Sequence, residues 1–240
     1  MKALHLVLTL SCLAVVACNA LSPSRMSRPT DPDAEVARIT AEWDRVAGGQ
    51  PSEHYGLLEP DESWNETMGR LLDEAEFLAL EHPRHLPALT LCAALCCELR
   101  RSDEAVAYLD IARDVDPTHA EAAILRSRIA LEQGNHPYAL RLLDEQVALH
   151  PDRPEVFETR AAIFFLTGRP QEALQDLTVA EKLGAPAWRV AYNRGLVAES
   201  QQRPDVAAVH FANCLALNPG FEPARARLRG AETPVPASRN

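Results

Sequence analysis

A chain of 240 residues with 47% hydrophobic composition has room for one large or two small domains and enough apolar side chains for a core. Aromatic residues are only 5%, so close packing of Ala and Leu must replace large ring contacts. The formal charge is −10, the lysines are Lys2 and Lys182, and the remaining cationic side chains are arginines without a basic cluster. That balance argues against nucleic acid, because neutralising phosphates needs a concentrated positive face.

Residues 1–20 read MKALHLVLTLSCLAVVACNA. Lys2 precedes an apolar run over 3–16, broken only by His5, Thr9, Ser11 and Cys12, and small residues follow. This is the layout of an export signal, and the run is short for a membrane span of roughly 20 residues. The ending Val15-Val16-Ala17-Cys18 resembles a bacterial lipoprotein processing site. The resemblance implies a signal peptide over 1–17, cleavage before Cys18 and acylation of that cysteine by palmitate-type chains. Asn19, which is not Asp, implies delivery to the outer membrane, facing the periplasm of the bacterial cell envelope. Plain secretion and an uncleaved anchor are the alternatives. Residues 18–33 are rich in Pro, Ser and Arg and too poor in apolar side chains to pack, so they read as a tether.

The segment 34–85 holds the N-terminal helices. Val36, Ile39, Trp43 and Val46 recur at helical spacing over 34–47, and Gly48-Gly49 stops that helix. Residues 50–61, with Pro51 and Pro60, form a loop. A second helix over 62–81 puts Met68, Leu71, Leu72, Ala75, Leu78 and Ala79 on one side. Pro83 stands 34 residues before Pro117, which makes this helix half of a degenerate unit.

From 86 onward the chain repeats itself every 34 residues, in units 86–119, 120–153, 154–187 and 188–221. Position 8 of each unit is small: Ala93, Ser127, Ala161 and Gly195. Position 20 is Ala105, Ala139, Ala173 and Ala207, and position 24 is Leu109, Leu143, Leu177 and Phe211. Position 32 is Pro117, Pro151, Ala185 and Pro219, with Pro186 displaced by one in the third unit. Small residues at 8 and 20 let two antiparallel helices approach closely, position 24 fills the space beside them, and the proline forces a turn. Thr118 with Glu121, and Asp152 with Glu155, have the spacing of capping boxes.

These four registers resemble the tetratricopeptide repeat family. The resemblance implies an all-α fold, an α-solenoid of about four helical hairpins with N-terminal helices, a capping helix over 222–230 and a disordered tail over 231–240. One hairpin cannot bury its apolar face alone, so copies stack. Departures from the family pattern are Leu89, Ala123 and Ala191, which stand where only Phe157 keeps the aromatic of position 4.

Cys92, Cys96 and Cys97 crowd one helix, with Cys92 and Cys96 facing inward and Cys97 toward the groove. They read as core filling; a redox or metal-handling role is the alternative, and no further ligand cluster supplies a metal site. Arg126, Arg160 and Arg194 recur at position 7. Each guanidinium is expected to reach an acid on the preceding helix, Asp110 for Arg126 and Asp144 for Arg160, rather than to grip an acidic ligand. No phosphate loop, nucleophile elbow or acid pair appears, so neither an enzyme nor a cofactor is expected.

What remains is a surface. The family's concave face is lined by positions 2, 5, 9 and 12 of each first helix. Carried onto this chain, those positions give Glu121, Ile124, Arg128 and Leu131, then Glu155, Glu158, Ala162 and Phe165, then Arg189, Tyr192, Leu196 and Glu199. Apolar residues among acids suit an extended or helical peptide with apolar anchors and some basic charge. The expected function is that of a membrane-anchored scaffold binding protein or peptide partners of the cell envelope. A self-associating structural protein, a homo-oligomer, is the alternative.

Overall fold

The structure, a computed structural model, describes residues 31–46 and 62–232. Residues 1–30, with Cys18 and most of the expected tether, residues 47–61 and those beyond 232 lie outside the described residues; Pro32 and Asp33, expected in the tether, instead open the first helix. The described residues form helices and no strand. In chain order these are α1 (Pro32–Val46), α2 (Glu62–Glu81), α3 (Leu86–Glu98), α4 (Ser102–Val115), α5 (Ala120–Glu132) and α6 (His136–Leu149). They are followed by α7 (Pro154–Leu166), α8 (Pro170–Lys182), α9 (Ala187–Ser200), α10 (Pro204–Leu217) and α11 (Glu222–Glu232).

Each repeat is an antiparallel hairpin of a first helix (α3, α5, α7, α9) and a second (α4, α6, α8, α10). Helix α3, LPALTLCAALCCE, is apolar on nearly every side, because it packs against neighbours on several sides. Helices α4, α6 and α8 are amphipathic and keep one side in water. Between the two, the chain reverses through a left-handed residue recurring every 34 positions: Arg100, Gly134, Gly168 and Gln202, with φ between 57° and 73°. The following amide closes each turn by donating to a carbonyl five residues back, as Asn135 does to Ala130 at 2.8 Å and Arg169 to Phe164 at 2.8 Å. This is the glycine-type helix stop.

The capping boxes are not formed. Helix α5 begins at Ala120, so its N-cap is His119, and Thr118 is instead held by Asp116, whose carboxylate accepts from the Thr118 amide and hydroxyl. In the same way Arg153, not Asp152, caps α7, because Pro154 fixes the first helical turn one residue later.

Each first helix touches the next first helix, α3 with α5, α5 with α7 and α7 with α9, while each second helix reaches the following unit chiefly through that unit's first helix. The first helices therefore line the inner side of the stack. Helix α1 packs on both α2 and α3, the two kinds of neighbour that every first helix has. The degenerate unit is thus a whole hairpin, with α1 in the first seat and Ile39 buried beneath it. Arg38 binds Glu35 and Glu74, and Arg70 binds Glu42 at 2.6 Å, which tie α1 to α2. At the far end α11 closes the stack, with Phe221 and Ala224 buried.

Candidate functional site

The alanines at the helix crossings, Ala105, Ala139, Ala173 and Ala207, are all buried, as are Leu109, Leu143, Leu177 and Phe211 beside them. Gly195 explains the aromatic exception: a β-carbon built there would fall 2.4 Å from Phe211 Cε1. Phe211 occupies the space that Ala and Leu share in the first and third units.

The inner face rests on this frame. Ile124 and Leu131 are half-buried against Ala130, Ala139, Leu143, Val156 and Ile163. Phe165 is half-buried against the cluster of Phe164, Leu177 and Val190. Leu196 joins the last cluster, and Tyr192 lies edge-on to Phe221, its ring 4.9 Å from that ring and 5.7 Å from Phe211. Tyr192 is therefore committed to holding the C-terminal cap.

The acids of this face are largely answered from within the chain. Glu158 does not face an open trough; it is buried, and Arg189 donates to both of its oxygens, at 2.8 and 2.5 Å. Glu121 accepts from Arg153, the N-cap residue of the next unit's first helix, and lies 3.0 Å from His119 Nδ1. Burial pushes the Glu121 carboxyl up, but the Arg153 bond and the helix-start amide outweigh it, and the net direction is down. Glu199 accepts from Arg227 of the capping helix at 2.9 Å. Glu155 stays exposed in the first turn of α7. Arg128 is half-buried, and its charge pulls down the neighbouring Glu132, whose carboxyl burial nonetheless raises. The inner face thus presents mainly apolar side chains, with Glu121, Glu158 and Glu199 each paired to an arginine of a neighbouring element.

These cross-unit pairs escape a reading of the sequence that treats each unit alone. Their spacing is legible afterward: Glu121 to Arg153 is 32 residues and Glu158 to Arg189 is 31, slightly under one repeat. The arginines of position 7 divide. Arg160 binds Asp144 at 2.8 Å and also takes the buried Asp176 of its own unit through two bonds of 2.7 and 2.8 Å. Arg194 takes Glu181 of the preceding helix at 2.7 and 3.1 Å. Arg126 does not follow its expected pairing with Asp110. Its buried Nε has no hydrogen-bond partner, and its guanidinium lies 5.3 Å from the Tyr138 ring centre, where the ring face attracts it.

Cys92 and Cys96 are buried and Cys97 half-buried. Burial, then the nearby Glu76 charge, pushes the Cys92 thiol up, and burial pushes Cys96 up to about 12. Both favour the neutral thiol, which is a poor nucleophile and a poor metal ligand. Among the described residues no group of three or more His, Cys, Asp or Glu is placed to hold a metal ion.

Comparison with known proteins agrees with this geometry. The tetratricopeptide repeat family matches residues 99–163. Human tetratricopeptide repeat protein 13 is 34% identical over 121 residues, 48% of this chain and 14% of that protein, so the chain spans a small part of that relative. Among solved structures, a tetratricopeptide repeat protein from Parabacteroides merdae is similar at a TM-score of 0.66 and 18% identity, over 85% of this chain and 72% of that one. A thermophilic repeat protein from Thermus thermophilus is similar at 0.68 and 16% identity, over 84% and 98%. At such identities the likeness speaks for the fold.

Proposed function

The chain is a tetratricopeptide repeat protein, and from that premise we propose that it is a scaffold docking protein or peptide partners along the inner face of its helical stack. One observation carries this reading: a row of half-buried apolar side chains, Ile124, Leu131, Phe165 and Leu196, continues from unit to unit while adjacent acids are neutralised by the chain's own arginines. Such a face offers apolar contact rather than charge, and it fits an extended or helical segment that brings apolar anchors. The anchors gain by leaving water, about 25 cal/mol per Å² buried. Among the described residues no group of three or more His, Cys, Asp or Glu is placed to hold a metal ion, in keeping with a role in assembly.

The proposal includes a place. The apolar leader and the Val15-Val16-Ala17-Cys18 ending support lipidation of Cys18 and residence in the bacterial cell envelope, at the outer membrane facing the periplasm. The segment between Cys18 and the start of α1 at Pro32 would then hold the stack off the membrane. One experiment addresses both parts. Cross-linked capture from native membranes compares the parent with Ala94→Arg plus Ala162→Arg, which fill the inner face at half-buried positions, and with Cys18→Ser. Partner recovery is expected to fall about tenfold in the filled variant, with its melting unchanged, and Cys18→Ser should move to the soluble fraction without palmitate label. Equal recovery overturns the docking face, retention in the membrane overturns the anchor, and capture of the chain alone identifies a self-associating stack.

A further inference from the structure

The outer side of the stack is not uniform. Phe77 of α2 and Ile111 of α4 occupy the same repeat position, yet they remain 43% and 40% exposed, and Leu80, one turn past Phe77, is 46% exposed. The matching positions on α6, α8 and α10 are Glu145, Val179 and Asn213, so the apolar strip is confined to the N-terminal end. The two helices are tied together beside it: the Tyr108 hydroxyl donates to Glu76 Oε1 at 2.7 Å. Glu76 immediately precedes Phe77, and Tyr108 lies one turn before Ile111. Below the strip Leu78, Ala79, Leu109 and Ala112 are buried in one cluster. The exposed trio therefore stands on a fixed floor.

Its rim is acidic. Asp73 and Glu81 lie one turn to either side of Phe77, and Asp110 and Asp114 flank Ile111. All four are exposed, and none forms an ion pair among the described residues. The sequences of α2 and α4 hold ten acidic residues and two arginines, Arg70 and Arg113. Arg70 is already engaged by Glu42 and Glu74, and Arg101, the N-cap of α4, pairs with Glu104, which leaves Arg113 as the unengaged arginine of these two helices. The inner face answers its acids with the chain's own arginines; this outer face does not. An apolar centre ringed by unanswered negative charge is complementary to one occupant, a cationic helix with an apolar side. The same charge repels anionic membranes.

We propose that the outer face of α2 and α4, centred on Phe77, Leu80 and Ile111, is a second docking surface, for a Lys/Arg-flanked amphipathic helix of another protein. It is independent of the inner face, so the stack can hold two partners at once.

The test titrates the full chain into a fluorescein-labelled helical peptide with leucines on one side and Lys and Arg on the flanks, alongside a twin flanked by Glu. Anisotropy is expected to show binding of the basic peptide alone. The affinity should weaken at least ~10-fold in Phe77→Ser plus Ile111→Ser, and again in Asp110→Asn plus Asp114→Asn. Ala162→Arg, on the inner face, should leave it unchanged, which separates this surface from the one proposed above. Equal binding of the two peptides, equal binding by parent and outer-face variants, or no binding at all overturns the proposal. So does a dimer in sedimentation that Phe77→Ser dissolves, because a second copy would then be the occupant.

Discussion

Gly195 and Phe211 show how one unit departs from its neighbours without leaving the fold. Ala93 with Leu109 and Ala161 with Leu177 divide the same space between a methyl and an isobutyl group, whereas the fourth unit gives all of it to a ring. The ring cannot retreat from an added methyl, since Phe211 is buried and Tyr192 lies against it. Gly195→Ala is therefore expected to destabilise by about 1–3 kcal/mol through overpacking. Adding Phe211→Leu should recover much of that loss, because the pair then matches units one and three. Urea melts of the two single variants and the double variant test this; additive losses would show that the two positions do not share one space. His210, on α10, carries a pH effect. Burial, then the Arg194 and Arg203 charges, hold its imidazole below the ordinary histidine value of 6.5. The folded state thus prefers the neutral ring, and the unfolded chain takes up the proton first. Stability should fall as pH drops from 6.5 toward the lower folded value and then level off. His210→Gln should flatten that part of the profile. A parent-minus-variant difference that stays constant across the window would refute the assignment, and taking the difference removes the contribution of other titrating groups.

At the scale of the helix, the informative position is the left-handed turn residue. Gly134 and Gly168 fit φ near 72° at no steric cost, whereas Arg100 and Gln202 hold the same conformation with a β-carbon, at about 1–2 kcal/mol each. Arg100→Gly and Gln202→Gly are each expected to stabilise by about 0.5–1 kcal/mol, the relief less the added freedom of glycine in the unfolded chain. A lower melting temperature in both variants would mean that the side chains make compensating contacts. The same turns mark how far the sequence can be read. Small residues at 8 and 20 and the proline at 32 expose the hairpins because they act within one unit, at fixed separations. The capping boxes failed because Asp116 and Pro154 settle the turns in ways a four-residue pattern does not contain. The place of α1 was only half legible, since its seat depends on contacts with α2 and α3 across the intervening segment 47–61. Of the apolar positions expected on the inner face, Ile124, Leu131, Phe165 and Leu196 are half-buried, and Tyr192 packs on Phe211 and Phe221. The charge pairing of that face was not legible, because Glu121 is answered from the N-cap of the following helix pair, Glu158 from the next unit and Glu199 from the capping helix.

Across the molecule, stability has a direction. Among the described residues each unit packs mainly on its neighbours along the stack, so a loss at one end is not shared evenly. The C-terminal end is closed by Phe221, which meets the Trp188 and Tyr192 rings at 4.9 Å each, and by the Arg227–Glu199 pair. Truncating a buried Phe to Ala removes about 3–5 kcal/mol of local packing. In Phe221→Ala, α9 and α10 lose one wall while α3 and α4 keep every contact they had. Hydrogen exchange should therefore accelerate across α9, α10 and α11 and stay close to the parent rate across α3 and α4. Uniform acceleration from α1 to α11 would instead mean that the stack unfolds as one cooperative block. Partner docking at either end would then be coupled through global stability, and the inner and outer faces could not act separately.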